Sequence, residues 1–222
     1  MLITGGAHVS ESQKITYGKG GTISVLTGKD PAFSGLIGGS LVMESSLFGY
    51  SGATGGTLNI QANLIQVGGD PQAGYLNLDE DFFRNGGFTK YALTGIGAAA
   101  DTPASGAVES YLPAISIAAG SDIAPIAESL IAVRDYARRG AFTLQRFTQV
   151  EGLRSPVSLA FSALGSDDPF TLDSLEARGD IVMGAGARIV TDPGAAVSFK
   201  GGTITLLGSV IAPGVSRRQT NA

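Results

Sequence analysis

The side chains with the means to do chemistry are few. Histidine occurs once, as His8, and cysteine not at all, so a Ser-His-Asp triad, a histidine metal site and a thiolate site all lack raw material. The acidic candidates are Asp79-Glu80-Asp81 and Asp167-Asp168. Paired carboxylates can cleave a glycosidic bond by acid–base work, but neighbours on a strand point to opposite faces, so neither cluster converges by spacing alone. Both read as solvated loop charge. The same oxygens suit calcium, yet the recurring aspartate of calcium-binding nonapeptide repeats is missing. Gly18-Lys19-Gly20-Gly21 leads into a strand pattern and lacks the Gly-Lys-Ser or Gly-Lys-Thr of a phosphate loop. The expectation is a non-enzymatic chain with no catalytic residue, metal or cofactor. One motif points to binding. Arg178-Gly179-Asp180 is the tripeptide that host integrins read, its Asp completing a metal site on the receptor and its Arg reaching an acidic pocket. Gly179-Asp180 also forms the turn before the alternating Ile181 and Met183.

A recurring phrase shows what must hold these residues. A glycine pair followed by an alternating run stands at Gly20-Gly21-Thr22-Ile23-Ser24-Val25, Gly38-Gly39-Ser40-Leu41-Val42-Met43, Gly55-Gly56-Thr57-Leu58-Asn59-Ile60, Gly86-Gly87-Phe88-Thr89-Lys90-Tyr91 and Gly201-Gly202-Thr203-Ile204-Thr205-Leu206. Glycine admits positive φ for a turn, and the period-2 run is a strand with one face inward. The first three copies begin at residues 20, 38 and 55, close to the repeat length of a solenoid that stacks one unit per turn. Ile23 and Val25, Leu41 and Met43, and Leu58 and Ile60 then form apolar ladders, while Thr22, Ser24, Thr57 and Asn59 face outward. The fourth copy shifts its apolar positions to Phe88, Tyr91 and Leu93.

Composition sets the bounds. With 222 residues and 43% hydrophobic content, the chain can bury a core. Its net charge of -4 provides no basic surface for nucleic acid. Glycine, at 33 residues, is about twice its ordinary share and fits frequent turns. Mean hydropathy is +0.21, but no apolar stretch reaches the roughly 18 residues of a transmembrane helix. The segment Met1-Leu2-Ile3-Thr4-Gly5-Gly6-Ala7-His8 carries no signal-peptide pattern. An outer-membrane barrel is disfavoured by the lack of Trp, by 7% aromatic content and by frequent short turns.

Strand grammar runs over residues 1–96, with a further strand expected at Tyr75-Leu76-Asn77-Leu78. Residues 97–107 read as a loop rich in Gly, Ala, Ser and Pro. Ile126, Leu130, Val133 and Ala137 share a helical stripe, with Pro125 early, Arg138-Arg139 late and Gly140 closing. They predict a helix over about 125–139, inside an insertion spanning 97–154. Strands return over 155–214, with turns at Gly184-Ala185-Gly186-Ala187 and Asp192-Pro193-Gly194-Ala195. Residues 215–222 form a polar, basic, irregular tail. No capping unit is evident over Thr4–Ser12.

Gly55-Gly56-Thr57-Leu58-Asn59-Ile60-Gln61-Ala62, Ile65-Gln66-Val67-Gly68-Gly69, and the run from Gly179-Asp180-Ile181 through Asp192-Pro193-Gly194-Ala195 to Gly208-Ser209-Val210-Ile211-Ala212-Pro213-Gly214 resemble the filamentous haemagglutinin-like exoproteins of Gram-negative bacteria. The resemblance covers most of the chain outside the insertion. It implies an all-β fold, a right-handed parallel β-helix with one helical excursion, and a segment of a surface adhesin exported by two-partner secretion. The implied partners are a host-cell or surface receptor, protein or glycan, and the outer-membrane secretion partner of the parent exoprotein. The implied location is secreted or cell-surface, as part of a longer molecule. Receptor contact is assigned to Arg178, Gly179 and Asp180. The chain departs from the family in lacking the amino-terminal secretion module and in its tail, Val215-Ser216-Arg217-Arg218-Gln219-Thr220-Asn221-Ala222, which suggests a truncated or frame-shifted reading frame. The alternative is a polysaccharide-degrading enzyme on the same fold, which needs acidic or basic residues converging on one outer face.

Overall fold

The computed structural model describes residues 1, 4–29, 38–100, 110–138, 141–167 and 175–215. It is mostly β, and three of its sheets are wholly parallel. The first runs Thr22–Leu26, Gly56–Ala62, Phe88–Gly95, Ser158–Ala163, Val197–Lys200, in chain order. In the second, Leu76–Leu78 lies outside Ile65–Val67, followed by Ile115–Ile117, Ile181–Met183 and Ile204–Leu206. The third holds Asp122–Ile123, Arg188–Val190 and Ser209–Ile211. From residue 158 onward the chain visits first, second and third sheet, then first, second and third again.

Register stacks like on like. Ile23, Leu58, Tyr91, Leu159 and Val197 pair in series, as do Val25, Ile60, Leu93, Phe161 and Phe199. The second sheet lines up Leu76, Ile65, Ile115, Ile181 and Ile204. One core cluster draws on all three sheets, for example through Leu58, Ile115 and Ile189. Each such side chain contributes about 1.5–3 kcal/mol by leaving water. On the outer face Asn59 Nδ2 donates to Ser24 Oγ at 3.0 Å, in line with the outward polar positions expected there.

The glycine phrases act differently from the sequence reading. Of the five pairs, only Gly38-Gly39 and Gly86-Gly87 take positive φ. The others permit close approach of backbones: a Cβ on Gly20 would lie 2.4 Å from the Gly56 nitrogen, and one on Gly55 2.2 Å from the Gly87 oxygen. The second copy also leaves the ladder. Leu41 and Met43 are not in a strand, and Ile23 pairs directly with Leu58. Leu41 and Met43 pack half-buried against the core instead. The fourth copy joins the first sheet through a bulge, because Gly56 pairs with Phe88 but Thr57 with Lys90. Thr89 is the extra residue, and its Oγ1 donates to the Gly55 oxygen at 2.8 Å. The fifth copy supplies Ile204–Leu206 to the second sheet rather than the first.

The expected helix over 125–139 is not formed. Ser129–Asp135 is a strand, antiparallel to Ala141–Phe147 and followed by a short 3₁₀ turn, Tyr136–Arg138; Arg139 and Gly140 lie outside the described residues. β-branched Ile131 and Val133 suit a strand, and the partner strand satisfies the backbone, so tertiary pairing overrides the helical spacing. Nor is 97–154 an insertion throughout, since Ile115–Ile117 and Asp122–Ile123 belong to the parallel sheets. Over Thr4–Ser12 the chain forms a hairpin, Ala7–Val9 with Ile15–Tyr17. Gly5 N–H ties it to the Tyr50 oxygen at 2.8 Å, and the Ala132 N–H donates to Tyr17 Oη at 2.9 Å. The tail beyond Val215 and residues 101–107 of the expected loop lie outside the described residues. Among the described residues no helix is long and apolar enough to cross a membrane.

Candidate functional site

The Arg178-Gly179-Asp180 tripeptide turns the chain from the Leu175–Ala177 hairpin strand into Ile181–Met183. Gly179 takes φ +74, and a Cβ there would sit 2.5 Å from the Gly165 nitrogen. On either side of it Arg178 and Asp180 bind each other, Nε donating to both carboxylate oxygens at 2.9 and 2.8 Å. The guanidinium lies over the Tyr111 ring, 5.2 Å from its centroid. Asp180 is buried. The Arg178 hydrogen bonds hold its carboxyl below the usual range against the opposing effect of burial, and bonds from Thr203 add to this. A receptor metal would have to take the carboxylate from this internal pair.

The other sequence candidates are dispersed. His8 sits on the outer hairpin, exposed and opposite Thr16. Asp168 lies outside the described residues, and Asp167 ends the short strand Ser166–Asp167. Asp81 pairs with Arg84 at 3.5 Å on the surface. Among the described residues no three carboxylates or imidazoles gather closely enough to hold a metal ion.

Beside Asp79 lies a cleft of about 430 Å³. Its walls are aromatic: Phe48, Tyr50, Phe82, Phe88 and Tyr91. Its rim carries Asp79, Asn85, Arg146 and the serines at 45 and 46. The 3₁₀ turn Glu80–Arg84 arranges one wall. Asp79 and Asn85 flank this turn in extended backbone and line the cleft with Phe82, and the Asn85 amide also donates to the Asp81 oxygen at 3.0 Å. Asp79 makes no capping bond to the turn it precedes. Phe82 is held at its angle by edge contacts with Phe83 at 5.4 Å and by Tyr91 at 5.7 Å.

The opposite wall comes from two other stretches. Phe48 stacks on Tyr50 at 5.6 Å. Arg146, from the Ala141–Phe147 strand, lies over the Tyr50 ring at 5.5 Å and donates to its hydroxyl at 3.0 Å. That bond and Glu128 at 3.9 Å hold the Arg146 guanidinium above its usual range. At the floor Tyr91 donates to the Asn85 oxygen at 2.9 Å; burial, reinforced by Tyr50, pushes its hydroxyl well above the ordinary tyrosine value. The chemistry on offer is therefore flat apolar contact ringed by hydrogen-bonding groups.

The one local sequence signal for this cleft is the density of aromatics at Phe82, Phe83, Phe88 and Tyr91. Its other wall, residues 45–50 and Arg146, has no local signature. A comparison with known protein families, characterised proteins and solved structures finds no match for this chain.

Proposed function

We propose that the three parallel sheets are faces of a right-handed parallel β-helix, and that the chain is a non-enzymatic stalk and contact segment of a secreted, surface-associated adhesin of the filamentous haemagglutinin-like kind. The observation that carries this reading is the rotation of the chain through first, second and third sheet, repeated from residue 158 onward. Such a path stacks one supersecondary unit on the next and gives a regular exterior with loops and hairpins set on it. Adhesion uses that exterior without needing an active site. The Ser129–Asp135 and Ala141–Phe147 hairpin and the aromatic cleft supply contact surface, while Asp180 remains engaged with Arg178.

Beads coated with the purified chain are expected to attach to epithelial cells or glycan-coated surfaces above beads coated with an unrelated β-protein. Attachment no better than the control would overturn the adhesive reading. Incubation with plant and animal polysaccharides is expected to release no new reducing or unsaturated ends. Sustained release would establish the enzymatic alternative instead.

A further inference from the structure

From the aromatic cleft we infer a binding site for a neutral pyranose, such as the terminal sugar of a glycan. The inference deepens the adhesive reading and rests on it for its biological use. The cleft, at about 430 Å³, lies within the range of small-ligand pockets, about 300–1,000 Å³. A pyranose ring has one apolar C–H face and a periphery of hydroxyls. The half-buried rings of Phe48 and Phe82 match the face, and the rim matches the periphery.

The rim makes the match specific. Asp79 can accept from two hydroxyls at once, Asn85 keeps its amide oxygen and one N–H beside the bond it donates to the Asp81 oxygen, and both line the cleft with the Phe82 ring on which the sugar would lie. A purely apolar guest would strip water from Asp79 and Asn85 without replacing its hydrogen bonds, which is costly. Charge selects further. Asp79 repels an anionic sugar, and the cation that would attract one, Arg146, is already engaged by Tyr50 and Glu128. Hydroxyls rather than charges therefore complement the rim.

The chain contains six tyrosines and no tryptophan, so Tyr50 and Tyr91 emission can report on the cleft. The test titrates the full chain with the methyl glycosides of glucose, galactose, mannose and N-acetylglucosamine, following tyrosine fluorescence and saturation-transfer NMR, with cyclohexanol as a ring lacking the hydroxyl periphery. Saturable binding of at least one glycoside is expected, well above that of cyclohexanol. Asp79→Asn is expected to weaken it about tenfold, the loss of a hydrogen bond to a charged group, with an unchanged circular dichroism spectrum. Phe82→Leu, which keeps apolar bulk but removes the flat face, is expected to weaken it as well. Absence of glycoside binding, equal binding of cyclohexanol, or unchanged affinity in Asp79→Asn would each overturn the proposal. If coated beads adhere while no glycoside binds, this inference falls and the adhesive reading stands; if glycosides bind while beads do not adhere, the reverse holds.

Discussion

Arg154 and Asp192, 38 positions apart, meet in a two-pronged contact, Nε on Oδ2 and Nη2 on Oδ1, each at 2.5 Å. Their side chains are only 16% and 6% exposed. The pair fastens the loop before Ser158–Ala163 to the turn after Arg188–Val190. Removing the guanidinium strands a buried carboxylate, and the cost of that exceeds the value of the pair itself. Arg154→Met is expected to lower stability by about 2 kcal/mol or more, a fall in melting temperature of about 4–8 °C for a chain of this size. Adding Asp192→Asn should restore part of the loss, as measured by thermal circular dichroism.

Asp180 makes stability depend on acid. Its folded pKa lies below the ordinary value of 3.8, so on acidification the unfolded chain takes up the proton first. The stabilisation is complete above the ordinary value and is lost as pH falls from there through the folded value. Arg178→Gln removes the first cause of the shift and is expected to move the acid-unfolding midpoint to higher pH. Asp180→Asn should remove this contribution to the pH dependence. An acid titration followed by circular dichroism checks both.

Glycines that look alike in sequence should differ in tolerance. Gly120 takes φ +76, and nothing lies within 4 Å of the position a Cβ would occupy, so Gly120→Ala costs only the left-handed backbone, about 1–2 kcal/mol. Gly55 has no positive φ, but its Cβ would sit 2.2 Å from the Gly87 oxygen. Gly55→Ala must push two strands of the first sheet apart and is expected to cost more than Gly120→Ala in urea denaturation.

The ladders are not uniform along their length. Phe161 is 1% exposed and stacks on Phe199 at 5.2 Å; Phe161→Ala is expected to cost about 3–5 kcal/mol. Ile204 occupies the same ladder as fully buried Ile181, but on the outermost strand and 41% exposed. Ile204→Ala is expected to cost under about 1 kcal/mol, because a half-exposed side chain has given up less contact with water. Equal costs in denaturant titrations would contradict the register.

The sequence made strands legible wherever alternation was long and local. The strands that carry Ile23 and Val25, Leu58 and Ile60, and Leu76–Leu78 follow from period 2, but their partners do not, since Leu41 and Met43 were expected between the first two and Ile23 pairs directly with Leu58. It misled where two patterns overlapped. Over 125–139 the spacing of Ile126, Leu130, Val133 and Ala137 is helical, while Ile131 and Val133 favour a strand, and only the partner at Ala141–Phe147 decides between them. The glycine pairs marked contacts between strands more often than turns, since a close backbone approach leaves no trace in a single strand's own residues. Of the aromatic cleft, Asp79 alone was singled out from sequence as a chemical candidate, and there as loop charge, because the cleft is assembled by the folded positions of Phe82, residues 45–50 and Arg146.

The direct pairing of Tyr91 with Leu159 has a kinetic consequence. All of residues 92–158 must be gathered into a loop before these two strands can meet, and loop closure costs entropy before any contact offsets it. The Ser129–Asp135 and Ala141–Phe147 hairpin lies wholly inside that loop and closes locally, on a scale of about 1–10 μs. Folding is thus ordered in time, with hairpins first and parallel stacking later. During that interval the edge of Phe88–Gly95 stays open, and this open edge gives misassociation its opportunity.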